Sequence, residues 1–198
     1  MQMSVKKVCV LHGALRADGN TENLLMPFMD EIEKEGAICR MIKLSDSKIL
    51  PCTACRECQK NPESFGCSQD DDMQKIFDEV MECDLLLLAT PVYSWYCTPP
   101  MKAALDRLVY GMNKYYGGDK PFSLWKGKSA ALLTTCGYPP EKGADLLDEG
   151  MRRYCRHSGL KYLGMLAERH MGYDTVFMDE EKEKHSRQFA RRLLFELG

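Results

Sequence analysis

The sequence predicts an α/β fold, a parallel sheet with helices on both faces. Three observations carry this. Strand-length apolar runs alternate with longer stretches of helical spacing along the whole chain. Leu85-Leu86-Leu87-Leu88-Ala89 and Ala130-Ala131-Leu132-Leu133 are apolar without alternation, the pattern of strands buried on both faces. The chain has 198 residues, 44% of them hydrophobic and 28% charged, which suits one domain with a sizeable core and excludes disorder throughout.

The elements follow in order. Val8-Cys9-Val10-Leu11 is a buried strand closed by the turn His12-Gly13. From Asn20, Leu24, Leu25, Phe28, Met29 and Ile32 recur at helical spacing, and Gly36 marks the stop. Ile38 to Leu44 mixes apolar residues with Arg40 and Lys43, as a half-exposed edge strand does. A polar, cysteine-rich stretch comes next. Asp70-Asp71-Asp72 is expected to open a helix, because acidic residues favour the positive end of the helix dipole. Met73, Ile76, Phe77, Val80 and Met81 then form one apolar face. After the Leu85–Ala89 strand, Pro99-Pro100 starts a helix with Met101, Ala104, Leu105, Leu108 and Val109 on one side. The Ala130–Leu133 strand ends at Thr134-Thr135-Cys136-Gly137. A helix from about Ala144 to His157, a strand near Leu160 to Leu166, and a last helix capped by Asp179 complete the chain.

Residues 1–198 therefore read as a single domain without repeat or linker. Five strands suit the doubly wound order 2-1-3-4-5 and equally a truncated Rossmann order. In both, ligands bind at the carboxyl ends of the strands near the switch point, which singles out the loops after Leu11, Ala89 and Leu133.

A formal net charge of −2 gives no basic face for nucleic acid. No apolar run approaches the roughly 18 residues that span a bilayer, and the apolar stretch within Met1 to Val10 is too short for a signal peptide. A cytoplasmic location without membrane partners is expected. There the ten cysteines read as thiols, metal ligands or small core residues rather than disulfides.

The first loop, His12-Gly13-Ala14-Leu15-Arg16-Ala17-Asp18-Gly19-Asn20-Thr21, is neither a G-x-G-x-x-G fingerprint nor a Walker A loop. It still has the parts to bind one phosphate. Gly13 and Gly19 permit unusual backbone, Asn20 and Thr21 stand at a helix start, and Arg16 is a forked cationic donor. The same residues also suit a plain turn with a helix cap. The second loop, Pro91-Val92-Tyr93-Ser94-Trp95-Tyr96, holds three aromatics in four residues. They suit a flat, mostly apolar ligand or a protein interface. The third loop, Thr134 to Tyr138, is small and polar, open to close ligand approach or an ordinary turn. His12 is placed to touch the first loop. His157, His170 and His185 are isolated and read as structural or exposed, and Asp179 to Lys184 reads as a solvated first helical turn.

Together these loops resemble the NADPH-dependent FMN reductase and iron–sulfur flavoprotein family. Gly13-x-x-Arg16-x-x-Gly19-Asn20-Thr21 looks like its phosphate loop and Asp71-Asp72-Met73 like the start of its second helix. Pro91-Val92-Tyr93, followed by Met101-Lys102-Ala103-Ala104-Leu105-Asp106-Arg107, looks like its flavin loop and following helix. The match runs from roughly Val5 to Gly137. It implies a flavodoxin-like three-layer sandwich with a five-stranded parallel sheet in the order 2-1-3-4-5. FMN would lie across the strand ends, its phosphate near Gly13, Arg16, Asn20 and Thr21. Its ring would lie between Pro91, Val92, Tyr93, Ser94, Trp95 and Tyr96 on one side and Thr135, Cys136 and Gly137 on the other. The family generally has Ser after the first loop glycine, where this chain has Ala14, so one hydroxyl donor is missing.

The implied activity is FMN-dependent NAD(P)H oxidation, with hydride passing from nicotinamide to flavin and electrons then to an acceptor. The flavin carries that chemistry, so no acid–base pair of side chains is demanded. Two other readings compete: an iron–sulfur flavoprotein taking single electrons from a ferredoxin-like donor, and a non-catalytic flavin-binding electron carrier. Family members commonly form dimers or tetramers, so a homodimer or homotetramer is expected, with a small-molecule donor and acceptor as the other partners.

Cys52-x₂-Cys55-x₂-Cys58-x₈-Cys67 places three thiols within seven residues and a fourth nearby. Zinc ribbons bring two separated C-x₂-C pairs, and this run is nearer to the ferredoxin-type ligand set of a [4Fe–4S] cluster. The iron–sulfur flavoproteins generally have a shorter last gap, so residues 61–66 form an insertion before the fourth ligand. Free thiols, or a disulfide formed on oxidation, are the alternative. The scattered cysteines read as small core residues, with Cys136 set apart by its place beside the implied flavin.

Overall fold

A computed structural model describes residues 5–114, 122–172 and 174–198. Of the N-terminal stretch read for a signal peptide, residues 1–4 lie outside the described residues, as do residues 115–121 of the stretch matched by resemblance. Five strands alternate with five helices: β1 (Lys7–His12), α1 (Asn20–Lys34), β2 (Ile38–Lys43), α2 (Met73–Glu82), β3 (Leu85–Pro91), α3 (Pro99–Met112), β4 (Ser129–Cys136), α4 (Asp145–Ser158), β5 (Lys161–Arg169) and α5 (Glu180–Leu197). A hairpin of two-residue strands, Asn113–Lys114 with Phe122–Ser123, follows α3, and a single helical turn, Pro140–Gly143, precedes α4. The strands run parallel in the order β2-β1-β3-β4-β5. That is the expected doubly wound layout, with β1 and β3 at the switch point.

The unalternating apolar strands have a simple cause. Leu86 and Leu88 face a core shared with α2, α3 and α4, where Ile76, Leu108 and Met151 are buried. Leu85 and Leu87 face the opposite core, where α1 and α5 contribute Leu24, Phe28, Phe189 and Leu193. Each central strand thus fills two layers at once. Cys9, Cys83 and Cys155 are buried, as expected of core cysteines, whereas Cys39 and Cys97 are only half-buried.

Three details differ from the sequence expectation. β2 stops at Lys43, because Leu44 turns inward and begins a short 3₁₀ turn. β5 runs on to Arg169, and its pairing with β4 shifts register between Ala130 and Leu132. The acidic run opens α2 as expected, with Asp71 Oδ1 accepting from the Met73 amide at 3.1 Å, but its carboxylates also reach back to the preceding segment. Asp72 stands at the cap position without a side-chain capping bond. Its Oδ2 accepts from the Lys48 amide at 2.8 Å, and Asp71 Oδ2 accepts from the Leu50 amide at 2.9 Å. These carboxylates staple the entry of the cysteine segment. Asp179 does cap α5, accepting from the Lys182 amide at 2.8 Å. No helix among the described residues is long and apolar enough to cross a membrane.

Candidate functional site

A cavity of about 560 Å³ opens at the carboxyl ends of β1, β3 and β4. Arg16, Asn20 and Thr21 stand at one end, and Pro91, Val92 and Tyr93 along a wall. Its volume is in the range of small-molecule sites. Gly19 holds the cap position of α1 in extended backbone, and no side chain covers the first amides of the helix. Those amides and the exposed Arg16 give this end the donors and charge that suit an anion.

The three loops are tied to one another. The Thr21 and Thr135 hydroxyls share a buried hydrogen bond of 2.7 Å. The Val92 amide donates to Thr135 O at 2.8 Å, and the Gly13 amide to Ala89 O at 2.8 Å.

Seven of the thirteen expected flavin-contacting residues line this cavity: Arg16, Asn20, Thr21, Pro91, Val92, Tyr93 and Thr135. The other six do not. Gly13 is a packing residue. A Cβ there would stand 3.0 Å from both Met101 Cβ and Thr98 Oγ1, and Thr98 Oγ1 donates to Gly13 O at 2.6 Å. Ser94, Trp95 and Tyr96 are turned outward. Tyr93 and Tyr96 exchange backbone hydrogen bonds of 2.8 and 2.9 Å, and Ser94 and Trp95 take left-handed backbone to close that turn. Trp95 stacks on Tyr138 at 6.1 Å and donates to Lys142 O. Cys136 is buried with its thiol on Tyr138 O at 3.2 Å, and burial pushes its pKa up to about 11. Gly137 lies behind His170, whose Nε2 is 3.3 Å from where a Cβ would stand. His170, Gly172 and Thr175, from the segment after β5, do line the cavity. The only sequence signal for them is the rule that strand ends hold ligands, applied to the last strand as well. His12 is buried beneath the first loop, and its two ring nitrogens have no hydrogen-bond partner among the described residues. Burial holds its pKa below the ordinary value of 6.5.

The second feature is a cavity of about 490 Å³ beside α3, lined by Cys52, Cys55, Cys58 and Cys67 together with Arg107 and Tyr110. All four thiols are free. Ala54 and Arg56 adopt left-handed backbone, which winds the first three cysteines tightly. The Ala54 amide donates to Cys52 Sγ at 3.4 Å, and Cys58 Sγ donates to Tyr110 O at 3.4 Å. Cys55 Sγ and the Ser68 hydroxyl lie 3.4 Å apart, and this bond holds the Cys55 pKa down. Burial pushes the Cys58 thiol up.

The insertion before Cys67 is packed. Phe65 is buried against Gly111 and lies 4.9 Å from the Phe77 ring. Lys114 Nζ donates to Cys58 O at 2.8 Å and to Ser64 O at 2.6 Å. Gly66 takes a φ of +65°, where a side chain is strained, and turns the chain back towards the cavity. Among the described residues no three His, Cys, Asp or Glu side chains converge on a single metal ion.

The sequence pattern of the NADPH-dependent FMN reductases fits residues 6–164. The chain belongs to that family.

The FMN reductase family places it among flavoprotein oxidoreductases. Its sequence is 35% identical over 119 residues to an iron–sulfur flavoprotein of Archaeoglobus fulgidus, covering 58% of this chain and 52% of that one. It is 28% identical over 131 residues to an iron–sulfur flavoprotein of Methanosarcina thermophila, covering 66% and 63%. The chain spans between about half and two thirds of the length of these relatives. Two solved structures share the fold. An NAD(P)H:quinone oxidoreductase from Methanothermobacter marburgensis is 18% identical with a TM-score of 0.68, covering 96% of this chain and 97% of that one. An FMN-dependent NADH-azoreductase from Bacillus anthracis, in complex with FMN, is 12% identical with a TM-score of 0.68, covering 96% and 99%.

The residues on hand fit the groups that an FMN reductase with a cysteine cluster implies. One forked cation and one open helix start suit a single phosphate, and the Pro91–Tyr93 wall suits a flat ring. Four thiols line one cavity, with N–H donors on the Cys52 and Cys67 sulfurs, and thiols are the ligand type that iron–sulfur clusters take.

Proposed function

We propose that this chain is an FMN-dependent NAD(P)H oxidoreductase. The cavity at the ends of β1, β3 and β4 carries that reading, because its anion-binding end and its flat wall are joined in one space. FMN, when bound, supplies the redox chemistry, taking up hydride and passing on electrons. Arg16 and the first amides of α1 hold the phosphate. Pro91, Val92 and Tyr93 flank the ring, and the Thr21–Thr135 bond keeps the phosphate end and the third loop in register. The loop has room and donors for one phosphate and lacks the glycine pattern of a pyrophosphate site, which favours FMN over FAD. Exposed Tyr96 and Tyr138 support association of two or more copies over this rim. Extraction of bound flavin, with steady-state NADPH and NADH oxidation, tests the reading. One FMN per chain and turnover are expected. Recovery of FAD alone, or no binding of added FMN at micromolar concentration, would overturn it.

The cysteine cavity favours a second reading for the same chain, an iron–sulfur flavoprotein that moves single electrons. Four thiols on one cavity, with Arg107 donating to Cys67 Sγ, support it. Iron and sulfide analysis of anaerobically purified protein, beside Cys55→Ala, tests it. Less than one iron per chain in the wild type would sink it.

A further inference from the structure

We propose that Arg107 is the positioning residue of the cysteine cavity: it fixes the sulfur of Cys67 and offsets the negative charge of the group that the four cysteines hold. This rests on the second reading above.

Arg107 lies on α3 with its side chain 1% exposed, and its partner Asp71 is fully buried. A buried guanidinium needs its N–H groups satisfied. Buried Arg–carboxylate pairs are frequently bidentate, with two parallel bonds. Here the pairing is single. Nη1 donates to Asp71 Oδ2 and reaches Leu50 O at 3.3 Å. The other carboxylate oxygen accepts from the Met73 amide at 3.1 Å. Nη2 turns to Cys67 Sγ at 3.1 Å. Nε is buried without a hydrogen-bond partner. One arm of the guanidinium thus reaches into the cavity.

Charge points the same way. Lys114 is also buried, seven residues further on, with its ammonium on two carbonyls of the cysteine loop. Beneath the cavity the fully buried charges among the described residues are two cations and one carboxylate. An iron–sulfur cluster with four thiolate ligands is a net anion in both of its common oxidation states. Reduction makes it more negative, and net charge together with hydrogen bonds to sulfur sets its potential. A fixed cation bonded to one ligand sulfur raises that potential and slows loss of that ligand.

The test uses the full FMN-loaded chain, reconstituted anaerobically with ferrous iron and sulfide. Wild type, Arg107→Gln and Arg107→Lys are compared for cluster midpoint potential and for the rate of iron release to a chelator. Circular dichroism and FMN binding report whether each variant folds. Arg107→Gln is expected to shift the potential negative and to release iron about tenfold faster, the size of one charge-assisted hydrogen bond. Arg107→Lys keeps the charge beside Asp71 and loses the second arm, so it should recover the potential more than the release rate. Should Arg107→Gln fail to fold, Arg107→Lys alone decides, with faster release than wild type expected. Folded variants that match wild type in both readouts overturn the proposal. A wild type that assembles no cluster overturns the reading beneath it.

Discussion

Phe65 occupies the space that a side chain on Gly111 would need. A Cβ built there stands 2.2 Å from two carbons of the Phe65 ring. Together with the Lys114 bridge, this contact turns the gap between Cys58 and Cys67 into a packed loop and returns the fourth cysteine to the cavity.

Gly111→Ala is therefore an overpacking change, and such changes cost about 1–3 kcal/mol. Phe65 is expected to be expelled and Cys67 to label faster with a thiol reagent, while FMN binding stays at the wild-type value. Denaturation midpoints and timed alkylation check this. Unchanged labelling would show that the Phe65 contact does not set the place of Cys67.

At the flavin cavity, Arg16→Ala removes an exposed cation and leaves the fold intact. Charge-assisted hydrogen bonds contribute roughly 1.5–3 kcal/mol each, so FMN affinity should fall about tenfold or more. Ala14→Ser should tighten binding, since Ala14 lines the same cavity and a serine adds a hydroxyl donor. Flavin fluorescence titration reads both constants. If neither moves, the phosphate binds elsewhere.

The Thr21–Thr135 bond predicts a coupling. Either single change to valine strands a buried hydroxyl, at about 1–3 kcal/mol. Thr21→Val with Thr135→Val removes both partners and should destabilise by less than the sum of the two. Urea midpoints of the four proteins complete the cycle. Strict additivity would mean the two hydroxyls do not depend on one another.

His12 predicts a pH dependence. Its folded pKa lies below 6.5, so above that pH neither state carries the proton and the ring adds no slope. Below it the unfolded chain binds a proton that the folded chain does not, and stability falls as pH falls. Urea midpoints should decline between about pH 7 and 5, and His12→Phe should flatten that part of the decline. An equal decline in both proteins would place its cause elsewhere.

The sequence made the sheet legible because Leu85–Ala89 and Ala130–Leu133 are buried on both faces, a pattern that needs no partner to be recognised. One end of the strand-end cavity was legible for a similar reason: Arg16, Asn20 and Thr21 lie within six residues, on one loop. What stayed hidden depends on distant partners. Gly13 is required by Thr98 and Met101, far along the chain. Asp71 marks the right place, just ahead of a helix, but its role comes from Arg107, 36 residues away. His170, Gly172 and Thr175 reach the cavity only because β5 runs past its expected end. Trp95 and Tyr96 face outward because the Tyr93–Tyr96 turn closes on its own backbone, a choice that composition does not show.

Besides the Asp71 and Asp72 bonds at its entry, the cysteine loop is fastened by hydrogen bonds to one stretch of α3 and the hairpin after it. The latter run from Leu50, Cys58, Gln59, Ser64 and Cys67 to residues 107–114. Thr98, where α3 meets the first flavin loop, is nine residues upstream of Arg107, about 14 Å along a helix at 1.5 Å per residue. The loop is in effect a cartridge clipped to the far end of a strut. The two cavities share no lining residue. Substitution among the cysteines therefore touches no residue that lines the other cavity.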